Sequence, residues 1–270
     1  MNPSFSHIKM VAIDCDETLL RSDNTVSDYT IDILKKLENK GIRITIATGR
    51  MYQTAKPIGM ALQLGNVPMI LFSGGLIQEL ETGRKLFERT VPIDSVHRIF
   101  SIAKQHDFHV QSYVDDRLLC HHKNWQTDNY ERQTGAVPEV LGDVLYTYPK
   151  EPNKLIAIGS KSEIDTIIGL LAPLVGNELT LVRSQNDFLE IIPQGVSKGR
   201  ELETLSDRFD FFMADVISFG NAENDISMLS TTGYSVAVEN ATTHVKFIAR
   251  EICGHHNEDG LARWIEENLL

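Results

Sequence analysis

The chain repeats one local pattern at both of its ends. A short apolar run rich in strand formers stops at a polar cluster, and a helical pattern follows. Met10-Val11-Ala12-Ile13 stops at Asp14. From Ser27 to Lys40, Ile31, Leu34 and Leu37 recur at helical spacing, and Gly41 suits a left-handed helix end. Ile42 to Ala47 is a second strand run, stopping at Thr48-Gly49-Arg50, with a helical stretch to about Leu64. Pro68-Met69-Ile70-Leu71-Phe72 is a third, stopping at Ser73-Gly74-Gly75. This alternation predicts a parallel sheet with right-handed crossovers. The pattern returns near the other end. A helix from Ser197 to Phe209 leads into Val216-Ile217-Ser218-Phe219, which stops at Gly220-Asn221. A short helix around Asn224 to Leu229 precedes the strand Tyr234 to Val238, and Asp259 is expected to cap a last helix carrying Leu261, Ile265 and Leu269.

The middle of the chain reads differently. Ile93, Val96, Ile99, Phe100 and Ala103 mark an amphipathic helix, and Val110 to Val114, Asp115-Asp116 and Arg117 to Cys120 read as a hairpin. Lys154 to Ile158, Leu179 to Val182 and Phe188 to Ile192 are further strands. Ile164, Ile167, Ile168 and Leu171 mark a second helix, ended by Pro173. His121 to Pro152 is polar and aromatic and carries no period. Paired strands with two helices predict an α+β layer, helices on one face of an antiparallel sheet. The expected organisation is therefore a parallel-sheet α/β domain built from residues 1–86 and 191–270. Residues 87–190 are inserted as a second, α+β domain.

Composition narrows the class of function. Lys and Arg number 26 against 37 Asp and Glu, a formal net charge of −11. Such a chain repels nucleic-acid phosphates and anionic membranes, so neither is expected as a partner. The three cysteines, Cys15, Cys120 and Cys253, are widely spaced and suggest no disulfide framework. No apolar run approaches the roughly 20 residues that span a bilayer, and Met1 to Met10 has no hydrophobic signal core. The expectation is a cytoplasmic protein, monomeric or weakly dimeric.

In an open parallel sheet, ligands bind beyond the carboxyl ends of the strands. Here those ends are Asp14-Cys15-Asp16-Glu17-Thr18, Thr48-Gly49-Arg50 and Gly220-Asn221-Ala222-Glu223-Asn224-Asp225, with Gly195-Val196-Ser197-Lys198-Gly199 opening a helix. Carboxylates, a hydroxyl, a lysine, amides and glycines suit phosphoryl transfer. One carboxylate attacks phosphorus, a second moves the proton, and a lysine with a divalent cation offsets phosphoryl charge. Singly, each residue has a plainer role: Asp14 as a loop cap, Thr48 as the cap of the next helix, Lys198 as a solvated lysine. Together, in order, at strand ends, they read as one site. Cys120-His121-His122 and Cys253-Gly254-His255-His256 lack zinc-module spacing and are read as structural. Trp125, Tyr130, Tyr146 and Tyr148 either line a specificity pocket or pack core and hinge, and packing is the favoured reading.

These motifs, with Glu190 to Gly199 and the closing Glu258-Asp259-Gly260-Leu261-Ala262, resemble the haloacid dehalogenase superfamily, and within it the Cof-type phosphatases with a large α+β cap. The resemblance implies an Mg²⁺-dependent phosphatase acting on a small-molecule phosphomonoester through an aspartyl-phosphate. Asp14 would be the nucleophile and Asp16 the acid/base. Cys15, Thr48, Gly49, Lys198 and Asn224 would hold the phosphoryl group. Mg²⁺ would be held around Asp14, Asp16, Asn221 and Asp225. Sugar phosphates and phosphorylated cofactors such as FMN or pyridoxal phosphate are the implied substrates, with the cap closing over the site. Three positions depart from the pattern: Glu17 where glycine is usual, Asn221 where aspartate is usual, and Ser73-Gly74 where Asn-Gly is usual. A phosphomutase, or a sensor that no longer turns over, would use the same scaffold.

Overall fold

A computed structural model of the chain describes residues 5–176 and 178–270. The first four residues of the Met1 to Met10 stretch lie outside them. In chain order, β1 (Met10–Asp14), α1 (Asp28–Asn39), β2 (Arg43–Ala47), α2 (Tyr52–Ala61), β3 (Pro68–Leu71), β4 (Leu76–Glu79) and β5 (Lys85–Glu88) come first. The middle forms α3 (Ile93–His106), β6 (His109–Val114), β7 (Arg117–Cys120), α4 (Trp125–Thr134), β8 (Pro138–Val140), β9 (Lys154–Ile158), α5 (Lys161–Leu171), β10 (Leu179–Gln185) and β11 (Phe188–Pro193). The chain ends with α6 (Lys198–Phe209), β12 (Val216–Gly220), α7 (Ile226–Thr231), β13 (Tyr234–Ala237), α8 (Thr243–Ile248), β14 (Glu251–Ile252) and α9 (Gly260–Leu269). Two compact units result. One comprises the chain up to Gly49 with Ala55–Phe87 and Ser197–Leu270; the other comprises Arg50–Thr54 and Glu88–Val196.

The first unit is the α/β layer. Among the described residues its sheet runs β14-β13-β12-β1-β2-β3-β4-β5. From β14 to β3 every pair is parallel, as the alternation predicted, and β4 turns back antiparallel to β3. Strand β1 lies at the centre and is wholly buried, which is why its run is apolar without alternation. Crossovers leave β1 toward β2 on one side, while β12 and β13 continue on the other. The order reverses between β1 and β12, and beyond the carboxyl ends of strands at such a switch point open parallel sheets take their ligands. Strands β4 and β5 are not legible in the sequence, where no strand is read between Phe72 and Val110. The turn that folds β4 back uses left-handed backbone at Phe72 and Ser73, which those residue types do not advertise.

The second unit is an α+β layer with sheet order β10-β11-β9-β6-β7-β8. Its antiparallel pairs match the expected hairpins. Asp115 and Asp116 both take positive φ (51° and 58°), the backbone of a two-residue type I′ turn. Helices α3 and α5 bury Val96, Ile99, Phe100, Ile164, Ile167 and Leu171 against Val110, Leu155 and Ile191 of the sheet. The aperiodic stretch after His121 contains α4, held by a reciprocal cap between Asn124 and Thr127 and ended by Gly135 at φ 74°. Tyr130 is buried, and Tyr146 and Tyr148 pack on the core, but Trp125 is 57% exposed and packs nothing away. No helix among the described residues is long and apolar enough to cross a membrane.

Helix α1 forms where the spacing of Ile31, Leu34 and Leu37 predicts it, burying Ile33, Leu34 and Leu37 and leaving Ile31 half-buried, whereas two local readings are corrected. Helix α2 starts at Tyr52, so Thr48 lies too far upstream to cap it. Asp259 precedes α9, but its side chain does not cap that helix. It instead accepts from Arg21 Nη2 (2.8 and 3.0 Å), Ser27 Oγ (2.7 Å) and Thr30 Oγ1 (3.2 Å), tying the start of α1 to the start of α9. Ser27 is itself the N-cap of α1. Asp259→Ala removes the acceptor these three side chains share in a part-buried setting, and is expected to lower the unfolding free energy by about 1–3 kcal/mol. Urea denaturation of the variant and its parent measures it.

Candidate active site

Register brings the polar strand ends to one rim. Asp14 is the last residue of β1 and pairs in register with Ala47, the last residue of β2, so Thr48 stands just past that strand end. On the other side Ile13 pairs with Phe219, which sets Asp14 level with Gly220 and Asn221 just past it. Asp225 ends a single 3₁₀ turn, Glu223–Asp225, that follows β12. Lys198 is the first residue of α6, whose N-cap Ser197 accepts from the Arg200 N–H (3.2 Å).

Lys198 joins these elements. Its side chain is fully buried, and Nζ donates to Asp14 Oδ1 (2.5 Å) and to Asp225 Oδ1 (2.6 Å). The other oxygen of Asp225 accepts from the N–H groups of Asn221 (2.9 Å) and Ala222 (3.0 Å). Both Asp225 oxygens are therefore engaged, one holding the lysine and one shaping the loop after β12. Gly220 allows this: a Cβ there would lie 2.6 Å from the Asp225 Cβ. Asp14 Oδ2, in contrast, accepts no hydrogen bond from a described residue.

The electrostatics are unbalanced. Two carboxylates meet one ammonium in a site where Asp14 is 4% exposed and Asp225 and Lys198 are wholly buried. Burial, then the charge of Asp225, pushes Asp14 up to about 7, against the pull of Lys198. Burial works against the Lys198 ammonium, but Asp14 and Asp225 outweigh it and hold its pKa above the ordinary lysine value. The net excess of one negative charge is the field a bound cation would relieve.

The remaining sequence candidates lie around this centre. Cys15 is buried and, like Cys120 and Cys253, is a free thiol. Asp16 is exposed on the turn after β1, Thr48 is buried, and Gly49 and Asn224 are half-buried. Glu17 explains why glycine is usual at its position. Its φ is 55°, a left-handed conformation that costs a non-glycine residue about 1–2 kcal/mol. Its carbonyl accepts from Asn240 Nδ2 (2.8 Å), a residue the sequence did not single out because nothing local links it to Glu17. Among the described residues no three His, Cys, Asp and Glu side chains gather as a metal site. By their chemistry, an Asp14 carboxylate oxygen, the Asp16 carbonyl and the Asn221 amide oxygen would offer a mixed, all-oxygen donor set. That set fits a hard cation such as Mg²⁺. His256, from the second Cys-His cluster, instead bonds through Nδ1 to the Leu20 carbonyl (2.8 Å).

Comparisons with known proteins show which family and fold the chain shares. The family model described as haloacid dehalogenase-like hydrolase matches residues 11–265. The 5-amino-6-(5-phospho-D-ribitylamino)uracil phosphatase of Bacillus subtilis is 26% identical, with 96% of each chain covered. An HMP-PP phosphatase of Yersinia pestis is 28% identical, covering 97% of this chain and 95% of its own. A haloacid dehalogenase-like hydrolase from Bacteroides thetaiotaomicron superposes with a TM-score of 0.90 over 96% of this chain and 99% of that one, at 24% identity.

The buried charges imply a stability trade. With its folded pKa raised to about 7, Asp14 binds a proton in the folded chain that it gives up when unfolded. Stability from this group is present at low pH and is lost as pH rises through 7. Asp14→Asn leaves Lys198 paired with Asp225 alone and no net buried charge. It is expected to match its parent near pH 4 and to exceed it at pH 8 by about 2 kcal/mol, read by denaturant unfolding at the two pH values.

Proposed function

The chain belongs to the haloacid dehalogenase-like hydrolases, and from that membership we propose that it is a phosphatase acting on small phosphorylated compounds. The observation that carries this reading is Lys198, held between Asp14 and Asp225 so that Asp14 keeps one oxygen unbonded at the rim of the sheet. A carboxylate fixed on one side and open on the other is a positioned nucleophile.

The proposed cycle has two displacements. Asp14 Oδ2 attacks phosphorus, the bond from phosphorus to the leaving alcohol oxygen breaks, and Asp16 gives that oxygen its proton. A water then attacks the aspartyl-phosphate, Asp16 takes the water's proton, and the bond between phosphorus and Asp14 breaks. Asp14 returns as a carboxylate and inorganic phosphate leaves. Thr48, the backbone of Cys15 and Gly49, and Asn224 hold the phosphoryl oxygens in this scheme. Lys198 offsets their charge while keeping Asp14 aimed. Asp225 acts from behind, through Lys198 and the 221 loop. Mg²⁺ would be held by Asp14, the Asp16 carbonyl and Asn221, and would supply positive charge at the phosphoryl group. Asn221 brings an oxygen but no charge, so weaker metal binding than with aspartate is part of the proposal.

The substrate class follows the relatives. One acts on a phosphate carried by a ribitylamino uracil and another on HMP-PP. Sugar phosphates and phosphorylated cofactors such as FMN or pyridoxal phosphate are the proposed substrates here, with the second unit choosing among leaving groups. The test is Mg²⁺-dependent phosphate release from a panel of such esters. Release by the parent, a loss of 10³-fold or more in Asp14→Asn, on the order of removing a covalent nucleophile, and a lower Mg²⁺ requirement in Asn221→Asp are expected. No release by the parent or by Asn221→Asp, even at high Mg²⁺, would leave a phosphate-binding sensor as the better description.

A further inference from the structure

The turn after β3 carries a strain that the reaction scheme above does not use. Phe72, Ser73 and Gly74 take φ of 51°, 55° and 115° in succession. A buried phenylalanine in that region is a genuine outlier, and such strain persists only where its surroundings impose it. The Ser73 hydroxyl adds a second cost: it is buried and has no hydrogen-bond partner among the described residues.

Two contacts impose the conformation, and they reach different parts of the site. The Ser73 N–H donates to the Thr48 carbonyl (3.0 Å), and the Thr48 N–H donates to the Ile70 carbonyl (2.8 Å). The backbone of Thr48 is thus clamped between the end of β3 and the turn. Gly74 then lies against the peptide of Ser197. A Cβ at Gly74 would fall 2.6 Å from the Ser197 carbonyl oxygen and 2.9 Å from its nitrogen, so only glycine permits the approach. Ser197 caps α6, and Lys198 is the next residue.

We infer that the Phe72–Gly74 turn is a positioning brace, which fixes the Thr48 strand end relative to the Lys198 helix start. It deepens the phosphatase reading and rests on it for its kinetic consequence. The turn acts through Thr48 and Lys198 rather than on the reacting atoms. It holds the two groups that grip the phosphoryl oxygens and aim Asp14 at one separation, and the strain at Phe72 and Ser73 is the cost of reaching both.

Ser73→Gly separates the brace from a merely structural turn. Glycine takes φ near 55° without penalty and leaves no hydroxyl unpaired, so the variant folds with an equal or higher unfolding midpoint. The expected result is a kcat lower by about tenfold or more with KM within about threefold, because a softened brace misplaces groups that act in the transition state. Amide exchange at Arg200, whose N–H is held by the Ser197 cap, is expected to quicken about tenfold or more, and it is measured whether or not phosphate is released. Gly74→Ala is expected to lower kcat further. Gly233→Ala, whose Cβ would meet the Ala214 carbonyl at 2.1 Å, costs stability but keeps the kcat of the folded protein. A Ser73→Gly protein with parental kcat overturns the inference, as does one with parental exchange at Arg200. A parent that releases no phosphate counts against the phosphatase reading alone, and the exchange result then decides the brace.

Discussion

The buried ammonium of Lys198 is the point on which this structure turns. Burying one charge is costly unless partners surround it, and here Asp14 and Asp225 do so at hydrogen-bond distance. Neither carboxylate is local to the lysine. One ends the first strand of the chain and the other follows a strand near its far end, so the ion cluster forms only when both ends of the chain enter one sheet. The cluster is also out of balance, with two negative charges against one positive. An arrangement selected only for stability would have no reason to keep that excess at a wholly buried site. A site meant to receive a cation and to present a free carboxylate oxygen has such a reason.

The fold supplies this geometry through three ordinary constraints. Parallel register levels Asp14 with Ala47 and Gly220, so the residues just past those strands share a rim. The strand order reverses beside β1, the place where open parallel sheets take their ligands. Missing side chains then let backbone close in: at Gly220, where Asp225 packs, and at Gly74, where the β3 turn meets Ser197. Left-handed backbone also occurs beside this rim, at Glu17 three residues past β1 and at Phe72 and Ser73 directly past β3.

Much of this was legible in the sequence because it is written locally. The apolar runs ending at Asp14, Thr48 and Asn221 mark β1, β2 and β12, and the Asp115-Asp116 pair marks a tight hairpin, since period and turn chemistry are properties of neighbouring residues. The haloacid dehalogenase resemblance rested on the same runs, and the family model covers nearly all of the chain. What escaped the sequence depends on partners far away along it. Asp259 looks like a helix cap, but Arg21, Ser27 and Thr30 recruit its carboxylate from more than two hundred residues away. Strands β4 and β5 follow a turn made by residues that do not favour it. Helix α4 is polar on most of its surface, so its start is set by the Asn124–Thr127 cap rather than by an apolar stripe.

The central claim is that Asp14, aimed by Lys198, forms the covalent bond to phosphorus. Asp16→Asn should slow release of the phosphoryl group more than its capture, so a rapid acid quench of that variant with substrate tests the claim most directly. Peptide mass spectrometry is predicted to find one phosphoryl group, on the peptide that carries Asp14, and none when Asp14 is also replaced by Asn. A phosphoryl group on any other residue would contradict the account. So would turnover with oxygen from labelled water entering phosphate in the Asp14→Asn protein at the parental rate.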